Sequence, residues 1–361
     1  KGKRVESVFW SDGVAGLHPY VPGEQPQIAN LVKLNTNENP FPPSEQVLAA
    51  IAAAAQSGLQ RYPDPQSADL LQALATYHGL ENGNVFVGNG SDEVLAHAFR
   101  AFYVKQKPLL MPDISYSFYG VYAALFGIQC QTVALSANLV VDVNDYLAID
   151  ASSVAGVVIA NPNAPTGVAI SLADIERVLQ HFGNVAVLID EAYVDFGAES
   201  ACKLIAKYPN LLVVQTLSKS RSLAGLRIGF ALGSAELIDG LVRVKDSFNS
   251  YPLDKIAQAA AVAAFADQAY FEQCRDAVVS EREVVTAALQ ARGFTVLPSA
   301  TNFVFASHRE HKGRDLLAAL RERAVLVRQF EKPRIADFLR ISIGTAAQNQ
   351  ALIAALDDIL A

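Results

Sequence analysis

Two short aliphatic runs, Val185-Ala186-Val187-Leu188-Ile189 and Leu211-Leu212-Val213-Val214, set the tightest limit on how this chain folds. Each is apolar almost throughout instead of alternating, which is the pattern of a strand covered on both faces. Such strands belong to parallel sheets with helices on either side. Val85-Phe86-Val87 and Val157-Val158-Ile159-Ala160 add two more strands, and helical stretches separate all four, from about residue 45 to about 245. The alternation predicts an α/β fold with a mostly parallel sheet flanked by helices. After Pro252 the pattern changes to a long helical region over roughly 253–292. Shorter strands then follow at Thr301-Asn302-Phe303-Val304-Phe305, Val325-Leu326-Val327 and Phe338-Leu339-Arg340-Ile341-Ser342-Ile343. The expected organisation is a large domain over 45–250 and a smaller α+β domain over 251–361. A polar, proline-rich arm over 1–44 is expected to pack with the smaller domain.

Each large-domain strand ends in polar residues, and open α/β sheets place ligands beyond the carboxyl ends of their strands. The Leu211–Val214 run leads through Thr216 and Ser218 to Lys219, with Arg227 further along. A lysine closing a buried strand is partly desolvated, which favours the neutral, nucleophilic amine. The hydroxyls and the arginine suit a phosphate dianion, and an amine beside a phosphate grip points to a Schiff base with pyridoxal phosphate. A solvated loop lysine is the plainer alternative. Asp190 ends the Val185–Ile189 run, where a carboxylate would keep a pyridine nitrogen protonated, and Tyr193 follows it into the same crevice. A capping acid and a core tyrosine are the plainer readings of those two. Gly88-Asn89-Gly90-Ser91-Asp92-Glu93 precedes a helix and bares backbone N–H groups to an anion, assisted by the helix dipole. Glu93 stands where a dinucleotide fingerprint needs its third glycine, and Ser91 or Asp92 also reads as the N-cap of an ordinary capping box. Asn161-Pro162-Asn163-Ala164-Pro165-Thr166-Gly167 forms a rigid turn beyond the remaining strand.

Together these motifs resemble the fold-type I pyridoxal-phosphate-dependent aminotransferases. The likeness covers nearly the whole chain, from Leu34-Asn35-Thr36-Asn37-Glu38-Asn39-Pro40 through Arg61-Tyr62-Pro63-Asp64 to Leu339-Arg340-Ile341-Ser342-Ile343-Gly344. It implies that Lys219 carries the cofactor and shuttles the proton, that Asp190 partners the pyridine nitrogen and that Tyr193 partners the phenolate oxygen. It further implies that Gly90, Ser91, Asp92, Thr216, Ser218 and Arg227 hold the phosphate, and that Tyr116 stacks on the ring. Tyr62 matches a residue that reaches the phosphate from a neighbouring subunit, which implies a homodimer with shared sites. The family usually has asparagine directly before Pro-Thr-Gly. Here that slot is Ala164, and Asn163 is the candidate to supply the amide from one position earlier.

Within the family the likeness is greatest to members that transaminate L-histidinol phosphate with 2-oxoglutarate by ping-pong kinetics, in histidine biosynthesis. Tyr20, Arg328 and Arg340 match positions that bind the substrate phosphate or the carboxylate of the oxo acid. Arginine suits both anions because its planar fork donates two parallel hydrogen bonds. Arg340 lies in an apolar strand pattern, where burial without an anion is costly. An aromatic aminotransferase and a decarboxylase of a phosphorylated amino acid share most of these motifs and stay open. So does a cofactor-sensing regulator, which would be expected to carry a basic helix-turn-helix ahead of the arm.

A net charge of −7 with a pI near 5.4 excludes a basic nucleic-acid surface. Apolar residues make up 51% of the chain, a share that predicts some apolar surface at a subunit interface. The alanine-rich runs are too short for a membrane span of roughly 18 residues. Three scattered cysteines fit a reducing cytoplasm, and no pair has metal-ligand spacing. His308 and His311 sit among charged residues and read as solvated, so no metal is expected. Neither a Gly-x-Ser-x-Gly elbow nor a phosphate-binding Gly-x-x-x-x-Gly-Lys loop is present.

Overall fold

The computed structural model describes residues 7–21 and 23–361; residues 1–6 and 22 of the expected arm lie outside the described residues. The large domain is built on seven strands: β1 (Val85–Asn89), β2 (Leu109–Pro112), β3 (Cys130–Val133), β4 (Gly156–Ala160), β5 (Val187–Asp190), β6 (Leu211–Thr216) and β7 (Ile228–Gly233). Their order across the sheet is β1-β7-β6-β5-β4-β2-β3. All neighbours run parallel except β7, which is antiparallel to both β1 and β6. That one reversal matters for the site. The carboxyl ends of β1, β2, β4, β5 and β6 share an edge with the amino end of β7, so Arg227 arrives beside Lys219.

Successive residues of the central strands enter different cores, as a strand covered on both faces requires. Val157, Ile159, Val187, Ile189, Leu211 and Val213 face one core with Leu70, Leu74, Ile175 and Leu179. Val158, Ala160, Leu188, Leu212 and Val214 face the other with Val94, Leu95, Phe99 and Tyr119. The same alternation sends Asp190 towards Tyr119, and turns Glu191 the other way, onto Ser200 and Gln215.

The helical region after Pro252 is two helices, Lys255–Ala266 and Gln268–Gln290, divided at Asp267, whose carboxylate caps the second by accepting from the Tyr270 N–H. The first lies beyond the expected boundary at 250, yet Ala257, Ala260, Ala261 and Ala264 pack into the large core. Small side chains allow that close approach. The smaller domain has an antiparallel sheet of β8 (Phe294–Val296), β9 (Phe303–His308), β10 (Arg328–Gln329) and β11 (Phe338–Ser342), in the order β10-β11-β9-β8. From the arm, Val32–Lys33 pairs in parallel with Val325–Leu326, and Leu34 joins the smaller core. No helix among the described residues is long and apolar enough to cross a membrane.

Candidate active site

A cavity of about 360 Å³ opens at the shared strand edge. Ser91, Asp92, Tyr116, Asp190, Tyr193, Thr216, Ser218, Lys219 and Arg227 all line it, although they come from four separate connections of the sheet.

One end of the cavity is suited to an anion. The helix Gly90–Ala98 begins one residue before the expected caps: its N-cap is Asn89, which makes no side-chain cap. Glu93 Oε2 instead accepts from the Asn89 N–H at 2.5 Å. Ser91 and Asp92 are therefore inside the first turn, where N–H groups lack intrahelical partners. Arg227 stands over them, its Nη2 2.9 Å from Asp92 Oδ2. Asp92 Oδ1 accepts from the Tyr116 hydroxyl at 2.9 Å. The Asp92 carboxylate thus orients Arg227 and Tyr116, and what it offers an anion is its backbone N–H. Thr216 Oγ1 accepts from the Ser218 N–H at 3.1 Å and lies 3.0 Å from Ser218 Oγ, which sets both hydroxyls at the end of β6.

Two glycines make the cradle possible. Gly90 has φ +81°, and a Cβ there would lie 2.6 Å from Arg227 Nη2. A Cβ on Gly229 would lie 2.2 Å from the Ser91 nitrogen, so only glycine lets β7 run directly under the helix start. Gly229→Ala is expected to push the helix start off β7 and weaken cofactor binding about 5- to 150-fold, since overpacking against backbone costs roughly 1–3 kcal/mol. Fluorescence titration of the cofactor-free protein measures this, and wild-type affinity would refute the placement.

The other end suits a protonated aromatic nitrogen. Asp190 is 5% exposed and accepts from the Tyr119 hydroxyl at 2.6 Å and from the Ala192 N–H at 3.2 Å. Burial pushes its carboxyl up to about 6, against the opposing hydrogen bond from Tyr119. No lysine, arginine or histidine among the described residues pairs with it. A pyridinium would supply the missing cation. The residues therefore fit a phosphorylated pyridine, with its phosphate at the helix start and its ring nitrogen at Asp190.

Lys219 Nζ sits 3.3 Å from the Thr36 carbonyl oxygen and 5.8 Å from the centre of the Tyr193 ring. Asn39 Nδ2 donates to the Lys219 carbonyl at 2.9 Å, which fixes the backbone beneath the amine. The Tyr193 hydroxyl accepts from Asn37 Nδ2 at 2.9 Å. Asn163 is placed differently from expectation. Its amide is used inside the turn, with Nδ2 donating to the Ile114 carbonyl and Thr166 Oγ1, and Oδ1 accepting from Ser115. Ala164 lines the cavity in its place. Tyr62 is 82% exposed, stacks on Tyr251 with ring centres 4.7 Å apart, and lies outside this cavity. Tyr119, Asn37 and Gly229 are the site residues that sequence reasoning missed.

A second cavity of about 410 Å³ shares Tyr116 and Ala164 with the first and is lined by Tyr20, Arg328, Phe330 and Arg340. Arg328 and Arg340 are directly opposed across β10 and β11. Like charges so placed repel. Neither has a carboxylate partner among the described residues. Arg340 Nη2 donates to the Asn35 carbonyl at 2.9 Å, its Nε is buried without a partner among the described residues, and burial lowers its pKa. Tyr20 stacks on Phe118 at 4.7 Å. Among the described residues, no cluster of three or more His, Cys, Asp or Glu could hold a metal ion.

The family model for aminotransferase class I and II matches residues 29–356. The chain belongs to that family. It is 58% identical over 354 residues to histidinol-phosphate aminotransferase 2 of Rhizobium meliloti, covering 98% of this chain and 100% of that protein. It is 56% identical to the histidinol-phosphate aminotransferase of Aromatoleum aromaticum, covering 98% of this chain and 99% of that one. Among solved structures, the histidinol-phosphate aminotransferase of Sinorhizobium meliloti in complex with pyridoxal-5'-phosphate superposes with a TM-score of 0.84 at 27% identity. That match covers 91% of this chain and 90% of the other.

Proposed function

We propose that this chain is a pyridoxal-phosphate-dependent transaminase that takes its amino group from L-histidinol phosphate and passes it to 2-oxoglutarate. The observation that carries the substrate reading is the opposed pair Arg328 and Arg340, cationic and without a counter-ion among the described residues, one aromatic ring away from the cofactor cavity. A phosphate or a carboxylate entering between them relieves their repulsion and satisfies the Arg340 Nε. Both half-reactions then use one anion site, since the amino donor carries a phosphate and the acceptor a carboxylate.

When bound, pyridoxal phosphate supplies an electron-accepting ring that delocalises negative charge from the substrate carbon beside the nitrogen. The chain's own residues provide the rest. Arg227, the first-turn N–H groups of Ser91 and Asp92, and the Thr216 and Ser218 hydroxyls hold the phosphate. Asp190 keeps the ring nitrogen protonated, and Tyr119 keeps Asp190 oriented and ionised. Tyr116 and Ala164 bound the space for the ring. Lys219 Nζ is the amine in the cavity lining, so it carries the proton to and from the reacting carbon as general acid and base. The exposed Tyr62–Tyr251 pair fits a second copy of the chain docking there, giving a homodimer in which Tyr62 reaches the partner's phosphate site. The cysteine usage supports a cytoplasmic enzyme.

The test is a half-reaction scan: cofactor-loaded protein is mixed with one amine at a time and its visible absorption followed. Histidinol phosphate is expected to react fastest, with the original spectrum returning only on addition of an oxo acid and with parallel double-reciprocal lines. Faster reaction with phenylalanine or tyrosine would replace the substrate assignment. Carbon dioxide release without an oxo acid would replace the reaction itself.

A further inference from the structure

We propose that Asn37 is a positioning residue that fixes the direction of the Tyr193 hydroxyl proton, aiming it into the cofactor cavity. Asn37 is 1% exposed and holds a left-handed backbone, φ +56°. Few side chains accept that conformation, and asparagine is among those that do. Its N–H donates to Ser342 Oγ at 2.8 Å, and the Ser342 hydroxyl donates back to Asn37 Oδ1 at 2.9 Å. This reciprocal ring decides which end of the amide is which. A serine hydroxyl has one hydrogen to give, and the acceptor found for Ser342 Oγ among the described residues is Asn37 Oδ1. The NH₂ end must then face Tyr193, where Nδ2 lies 2.9 Å from the phenolic oxygen. From the smaller domain, Asn302 Nδ2 donates to the Asn37 carbonyl at 2.9 Å and fixes its backbone.

The consequence falls on Tyr193. Its oxygen accepts from Asn37, so its single proton is directed elsewhere, and the remaining open direction for this cavity-lining residue is the cavity. A hydroxyl held in that sense donates to an anionic oxygen on the bound ring. With Asp in place of Asn37, the acceptor would lie on the protein side and draw the proton out of the cavity. Ser342 belongs to β11, the strand that carries Arg340, so the tyrosine proton and the substrate anion site are set by the same element.

This inference rests on the cavity being the pyridoxal-phosphate site, and the experiment separates the two. The visible absorption of the cofactor-loaded, full-length protein is titrated against pH for wild type, Asn37→Asp, Tyr193→Phe and the double variant, alongside cofactor affinity. Removing a donor from the ring oxygen leaves more negative charge there, so the neighbouring proton is held more tightly. Asn37→Asp and Tyr193→Phe are each expected to raise the titration midpoint by about one pH unit. The double variant should match Tyr193→Phe alone, because residue 37 acts through the hydroxyl. Ser342→Ala, which frees the amide to turn over, should shift the midpoint the same way by less, and covers the case in which Asn37→Asp does not fold. An unchanged midpoint in Asn37→Asp and Ser342→Ala would overturn the inference. So would equal shifts from Asn37→Asp with and without the Tyr193 hydroxyl. A wild-type protein that develops no visible band with added cofactor would instead sink the assignment of the cavity.

Discussion

Lys219→Ala is expected to lower turnover by about 10⁴-fold, the upper end of the range for removing a positioned general acid–base group, while leaving the fold intact. The two halves of that expectation come from different contacts. The amine makes one hydrogen bond, at 3.3 Å to the Thr36 carbonyl, so its removal costs little stability. The backbone of residue 219 stays tied through Asn39 Nδ2. Among the described residues, no second lysine lines the cavity to take over proton transfer. Single-turnover kinetics on the cofactor-loaded variant measure the loss, and thermal unfolding checks the fold. A small primary amine added to the buffer should restore part of the rate, since it can occupy the vacated space and carry the same proton. Turnover within tenfold of wild type would mean that the chemistry is placed elsewhere.

Arg340→Ala should have the next largest effect, and it separates two explanations of a buried cation. Truncating one partner of a buried, hydrogen-bonded charge pair costs roughly 2–4 kcal/mol, or about 30- to 1,000-fold in kcat/KM. The loss should appear with both the phosphorylated amine and the oxo acid if they share the site. The cofactor-free variant, however, should not lose stability. Arg340 lies across from Arg328 with no carboxylate of the described residues between them, so alanine removes a repulsion, and burial has already made the guanidinium costly to keep charged. If Arg340 served only a structural ion pair, its loss would lower the melting temperature and leave KM alone. Arg340→Lys keeps the charge and loses the fork, so its KM should fall between those of wild type and alanine.

The strands were readable because burial on both faces forces unbroken aliphatic runs, and the site could be located because ligands sit where such runs end. Lys219, Asp190 and Tyr193 each follow a run within a few positions, so local sequence places them in one crevice. What local sequence does not carry is the choice among equivalent donors. Ser91 and Asp92 read as caps, yet the Glu93 carboxylate takes the Asn89 N–H and the helix starts earlier. Asn163 and an open cavity sit side by side, but the Ser115 hydroxyl and Ile114 carbonyl, brought in by a distant loop, take its amide. Tyr119 bonds a carboxylate 71 positions away, and Asn37 bonds a hydroxyl 156 positions away. No periodicity or spacing marks such contacts, because only the folded topology creates them. The division at Asp267 was hidden for another reason: helix-forming residues continue on both sides of it, and the break is the backbone of Asp267 itself, which leaves the helical region and caps the next helix.

Because β7 lies between β1 and β6, the first strand of the large sheet stays an orphan until the last one is made. During synthesis, the helix that starts at Gly90 leaves the ribosome long before the segment that docks it. A nascent chain ending ahead of Arg227 would lack both the guanidinium and the neighbour that seats this helix. Vitamin capture is therefore tied to completion of the large sheet, and an unfinished polypeptide gains no stabilisation from the cofactor pool.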